Sequence, residues 1–125
     1  MRKLLIADDE EGIRSLVRMT LESDAYEIVE ARNGAEAVAL ARDLHPELVL
    51  LDAMMPELDG FEACRRLKDD QGTSDIVVVM LTALAQEGDR EKGQAAGADE
   101  YFTKPFSPVA LLGLVDRIYD RKVAS

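Results

Sequence analysis

The sequence predicts an α/β fold of the doubly wound kind, with one parallel five-stranded sheet and helices on both faces. Three observations lead there. Apolar strand-like runs alternate five times with segments of helical spacing. The central run, Leu48-Val49-Leu50-Leu51, is apolar at every position, as a strand covered on both faces should be. The 125 residues, 47% of them hydrophobic, suffice for one domain with a real core and are too few for two.

The strand-like runs are Lys3–Ala7, Tyr26–Ala31, Leu48–Leu51, Ile76–Leu81 and Glu100–Thr103. Between the first two, Ile13, Leu16, Val17, Thr20 and Leu21 fall at helical spacing over Gly12–Glu22. Asn33 is a good N-cap for the second helix, with Glu36 placed three residues on as a capping-box partner. Ala37, Leu40, Ala41 and Leu44 form its apolar stripe. Asp59 with Glu62 repeats the cap signal ahead of Phe61, Cys64 and Leu67. The fourth helix, about Gln86 to Ala96, is weak. Gly88 and Gly93 each cost roughly 1 kcal/mol against alanine, and Gly97 is placed to end it in a left-handed cap. It is therefore expected to be the most mobile helix. Ser107 and Pro108 open the last one, proline at the first helical position, and Leu111, Leu114, Val115 and Ile118 supply its core face. The domain is read over 1–121, with 122–125 as a short polar tail.

Right-handed crossovers place helices on both faces of such a sheet. The flavodoxin-like strand order 2-1-3-4-5 puts the ligand at the switch between strands 1 and 3. Those strands end in Asp8-Asp9 and Asp52.

Composition narrows the function. The net charge of −10 disfavours a duplex-binding face and favours basic or metal-ion partners. The lone cysteine, Cys64, excludes an internal disulfide and fits a reducing, cytoplasmic setting. No signal-like segment opens the chain, and no stretch approaches the roughly 20 apolar residues of a membrane span.

Under this strand order the carboxyl edge of the sheet collects Asp8, Asp9, Asp52, Thr82 and Lys104. Two like charges 4 Å apart repel by roughly 4 kcal/mol at an effective dielectric of 20. Three carboxylates beside one ammonium therefore need a cation, and an all-oxygen donor set suits Mg²⁺ better than zinc. A site so balanced can admit a phosphoryl group, with an aspartate as the nucleophile. Lys104 and the Thr82 hydroxyl, aided by a backbone N–H, would hold phosphoryl oxygens. A hydroxyl that followed those oxygens inward would vacate space near Tyr101.

Taken singly, each residue has a plainer reading. Asp8-Asp9 would be a helix-start cap, Asp52 a turn residue, Thr82 a strand end and Lys104 a solvated side chain. Tyr101 serves equally as edge packing. Cys64 reads as inert core, His45 as structural, and Glu10 and Glu11 as first-turn helix charges, Glu11 being the one able to approach a metal. Four polar residues at the carboxyl ends of four strands favour the joint, functional reading.

The stretches IADDEEGIR, LVLLDAMMPELDGFEACRRLK, VVVMLTA and AGADEYFTKPF together resemble the receiver domain of bacterial two-component response regulators, of a chemotaxis-regulator-like kind. The resemblance runs from Arg2 to about Tyr119. It implies Asp52 as phosphoacceptor, Asp9 as a direct Mg²⁺ ligand, Asp8 as a ligand through water and the Met54 backbone carbonyl as a further one. It implies Lys104 as a phosphoryl contact, Thr82 and Tyr101 as a switch pair, and a cis Lys104-Pro105 peptide. The implied partners are a sensor histidine kinase or phosphotransfer protein and a downstream effector, which docks on the face of helix 4, strand 5 and helix 5. A monomer is implied, with a phosphorylation-dependent dimer left open. Met54 and Leu84, two residues past Asp52 and Thr82, influence dephosphorylation in such proteins; here both are apolar, so slow self-dephosphorylation is expected.

Three other readings compete. A metal-dependent aspartyl-phosphate phosphatase would carry two aspartates spaced by one residue, whereas Ala53-Met54 follows Asp52. A flavin or nucleotide site would need a glycine- or hydroxyl-rich loop after strand 1, where acids stand instead. A pseudo-receiver that acts only by binding would not need the intact acidic edge.

Overall fold

The computed structural model describes residues 2–23, 25–82, 87–104 and 107–124. Five strands, β1 (Arg2–Ala7), β2 (Tyr26–Ala31), β3 (Leu48–Asp52), β4 (Val77–Thr82) and β5 (Glu100–Thr103), alternate with five helices. These are α1 (Glu11–Leu21), α2 (Gly34–Leu44), α3 (Gly60–Asp69), α4 (Glu87–Ala96) and α5 (Pro108–Ala124). All strand pairs are parallel, in the order β2-β1-β3-β4-β5 expected from the sequence.

Alternate side chains of the sheet feed two separate cores. Leu4, Ile6, Leu48, Leu50, Val79 and Leu81 pack against α1 and α5. Leu5, Val49, Leu51, Val78 and Met80 pack against α2, α3 and Ala96 of α4. Every residue of β3 is buried, which is why its run shows no polar alternation.

The caps carry the sequence signals. Asn33 accepts the Glu36 N–H at 2.8 Å, and Asp59 accepts the Glu62 N–H at 2.9 Å. Ser107 Oγ accepts the Ala110 N–H at 3.1 Å. The reciprocal half of the capping box differs from the ideal: Glu36 reaches back to the Arg32 N–H at 3.3 Å, one residue before the cap. Gly97 is left-handed (φ 93°), and its N–H bonds the Gln94 carbonyl at 3.0 Å, ending α4 as its position foretold.

Boundaries shift by small amounts. β4 begins at Val77, because the Ile76 N–H is taken by the Thr73 carbonyl in the preceding turn. β3 gains Asp52 through its register with Leu81, and β4 gains Thr82 through its register with Thr103. α5 continues to Ala124, through residues read as a polar tail. Gln86, the expected start of α4, lies outside the described residues.

Candidate functional site

The site begins where β1 runs out. The Asp8 N–H continues the ladder by donating to the Ala31 carbonyl at 3.1 Å. The chain then turns into α1, and Asp8 Oδ1 accepts the Glu10 N–H at 2.9 Å. Asp8 therefore fulfils its plainer reading with one oxygen and leaves the other, Oδ2, for the site. Oδ2 is fully buried and has no aligned hydrogen-bond donor among the described residues. Its close neighbour is the Lys104 ammonium, 2.6 Å away and placed as an ion pair.

Asp52 closes β3 and is 5% exposed. The Met54 N–H approaches its Oδ1 at 3.4 Å, a long contact. The turn after it is held by two main-chain bonds, Ala53 N–H to the Leu81 carbonyl (2.9 Å) and Gly60 N–H to the Ala53 carbonyl (3.0 Å). Lys104 Nζ lies 3.4 Å from Asp52 Oδ1 and 3.8 Å from Glu10 Oε1. One amine from the end of the edge strand β5 thus reaches across β4 to acids on β3 and beyond β1. Its own backbone N–H donates to the Thr82 carbonyl at 2.7 Å.

These contacts set the electrostatics. Burial, with the Asp8 charge beside it, raises the Asp52 carboxyl from 3.8 to about 7, against the opposing pull of Lys104 and the Met54 N–H. Burial pulls Lys104 down, but the close Asp8 carboxylate and the charge of Asp52 outweigh it, so its pKa is raised.

Asp9 is exposed, and its carboxylate lies with those of Asp8 and Glu10 so that one oxygen of each falls within 4.8 Å of the others. Such a set suits a hard cation held through oxygen and water, and the buried Asp8 Oδ2, facing the Lys104 ammonium but no aligned donor among the described residues, is a ligand of the right kind. These residues fit Mg²⁺. Glu10, read as a helix charge, turns out to face Lys104, while Glu11 begins α1 and is exposed.

Thr82 is buried at the end of β4, and Tyr101, half-buried on β5, packs against the α2–α3–α4 core. Thr82 keeps the parity of Val78 and Met80, and Met80 pairs with Tyr101, so both belong to the α3–α4 side. Asp52 keeps the parity of Leu48 and Leu50, on the α1–α5 side. The Met54 side chain is 74% exposed. Pro105, and with it the expected cis peptide, and Leu84 lie outside the described residues.

Arg14 escaped the sequence reading. It is buried within α1, its Nη1 donating to the Asp8 carbonyl at 2.7 Å and its Nε to Glu30 Oε1 at 3.1 Å. The available signal was its spacing: Arg14 shares a helical stripe with Val17 and Leu21, where a charge needs a buried partner.

Comparison with known proteins agrees with this geometry. The model of the response regulator receiver domain matches residues 4–116. The chain is 44% identical over 121 residues to the DNA-binding dual master transcriptional regulator RpaA of Synechocystis, covering 97% of this chain and 50% of that protein. It is 43% identical over 120 residues to the phosphate regulon transcriptional regulatory protein PhoB of Pseudomonas aeruginosa, covering 96% and 52%. The chain thus spans about half the length of these curated relatives. Among solved structures, the Vibrio cholerae chemotaxis protein CheY4 superposes with a TM-score of 0.88 at 32% identity, covering 94% of this chain and 98% of that one. The receiver domain of a Pseudomonas aeruginosa sensor histidine kinase, with a magnesium ion coordinated in its active-site cleft, gives 0.85 at 28% identity, covering 93% and 95%. With the receiver-domain model matched over residues 4–116, this chain belongs to the response regulator receiver domain family.

Proposed function

We propose that Asp52 accepts a phosphoryl group from a phosphohistidine on a sensor histidine kinase or phosphotransfer protein, and that the acyl phosphate switches partner binding. The observation that carries this reading is the buried pairing of Lys104 with both Asp8 and Asp52 at the sheet's carboxyl edge. An Asp52 oxygen attacks phosphorus, the O–P bond forms and the P–N bond breaks, and the histidine nitrogen leaves with the electron pair. The Lys104 ammonium neutralises incoming phosphoryl charge, and the Thr82 hydroxyl and a backbone N–H hold further oxygens. The donors Asp8, Asp9, Asp52 and the Met54 carbonyl suit Mg²⁺, which when bound would supply the positive charge that this acidic pocket lacks.

Thr82 and Tyr101 then act as the switch pair, since both belong to the α3–α4 side of the sheet. Their shift alters the face formed by α4, β5 and α5, where the effector docks or a phosphorylation-dependent dimer forms. The acidic balance supports a role for these 125 residues as the switch and not the nucleic-acid contact.

The test is mass spectrometry after incubation with acetyl phosphate and Mg²⁺. One phosphoryl mass should appear in the native protein and be absent from Asp52→Asn. An unchanged native mass overturns the proposal, and ester hydrolysis well beyond one equivalent would revive the phosphatase alternative.

A further inference from the structure

We infer that Arg14 is a positioning residue for the acidic pocket, a strut that fixes Asp8 by its backbone while the carboxylate is left to the site. The inference rests on the reading of Asp8 as a metal-holding acid, but its structural half stands alone. The β1–β2 ladder ends with the Asp8 N–H bonded to the Ala31 carbonyl, and the Asp8 carbonyl has no strand partner among the described residues. Arg14 Nη1 supplies one at 2.7 Å, in a buried contact six residues along the chain. A buried carbonyl accepting from a guanidinium is among the stronger hydrogen bonds available.

The guanidinium is itself held. Its Nε donates to Glu30 Oε1 on β2 at 3.1 Å. The other oxygen of Glu30 takes Arg18 Nε at 2.8 Å, and Arg18 Nη2 reaches the Ile28 carbonyl at 3.2 Å while Nη1 pairs with Glu22. The β1–α1 turn is thereby braced against β2 through one planar fork. Glu30 balances the Arg14 charge, so the effect on Asp8 is geometric: it fixes where the Asp8 and Glu10 carboxylates stand relative to Lys104. Lysine cannot substitute, because a single ammonium on a flexible stem does not reproduce two divergent donors in a fixed plane.

The experiment compares the native protein with Arg14→Lys and with Glu30→Ala, the latter at a half-exposed strand position that leaves Arg14 in place. Two readouts are taken: amide hydrogen exchange in EDTA, and Mg²⁺ affinity by calorimetry. In Arg14→Lys the Glu10 amide, which bonds Asp8 Oδ1, should exchange about tenfold faster while the amides of Leu4, Leu5 and Ile6 keep their native rates. Mg²⁺ affinity should fall about tenfold, as expected when a residue supporting a metal ligand is lost. Glu30→Ala should move both readouts in the same direction by less. The inference is overturned if Glu10 exchange and Mg²⁺ affinity stay native in both variants, if exchange accelerates equally along β1, or if Mg²⁺ affinity is unchanged despite a loosened turn. A native protein that binds no Mg²⁺ defeats the proposed function, yet a selective rise in Glu10 exchange would still establish the strut.

Discussion

Gly60 stands so close to Asp52 that a Cβ on the glycine would lie 2.0 Å from the Asp52 carbonyl oxygen. The first residue of α3 is thus pressed against the backbone of the proposed phosphoacceptor, with no room for a methyl group. Gly60→Ala must displace either the helix or the end of β3. A loss of about 1–3 kcal/mol in denaturant unfolding is expected, with slower acetyl-phosphate labelling than in the native protein. Native stability together with native labelling would show that the contact is soft.

The raised pKa of Asp52 predicts a pH dependence with a definite sign. Its carboxyl titrates near 7 in the fold against 3.8 ordinarily, so the folded state holds the proton more tightly. The stabilisation is complete below about pH 4 and is lost as the pH rises through about 7. In EDTA, Asp52→Asn should therefore gain on the native protein across this window and exceed it at pH 8 by on the order of 4 kcal/mol. Parallel stability curves for the two proteins would refute the assignment.

Cys64 offers a check on the core. Burial pushes its thiol up to about 11, and its Sγ donates to the Ala96 carbonyl at 3.5 Å. The neutral, enclosed thiol should resist Ellman's reagent at pH 8 until denaturant is added, and then titrate as one equivalent. Rapid labelling of the native protein would mean that the α3–α4 packing opens readily.

Met54 bears on the lifetime of the acyl phosphate. Its exposed thioether has no strong donor or acceptor with which to orient water beside Asp52. Hydrolysis in isolated protein with Mg²⁺ should take far longer than seconds, and Met54→Gln should hasten it several-fold, followed by phosphoprotein mass over time. A native half-life of seconds contradicts this account.

The fold was legible because its signals are local. The apolar run before Asp52, the caps at Asn33 and Asp59, and Pro108 at the start of α5 each act within a few residues. Asp8, Asp52 and Lys104 were legible as a group because strand order alone carries their ends to one edge. Arg14 was not, since the destination of a guanidinium depends on Glu30, which only the β1–β2 register brings beside it. Glu10 holds the helix-start place read for it, as the N-cap of α1, but its second neighbour was hidden for a similar reason. Its charge suits the start of a helix, and only the fold reveals that Lys104 arrives in front of it.

The bond from the Lys104 amide to the Thr82 carbonyl is made entirely by main chain. It forms a seam between β4 and β5 that exchanging either side chain leaves uncut, proline at Lys104 excepted because it removes the donor. A variant stripped of its amine would lose the positive charge beside Asp8 and Asp52 and keep the mechanical linkage.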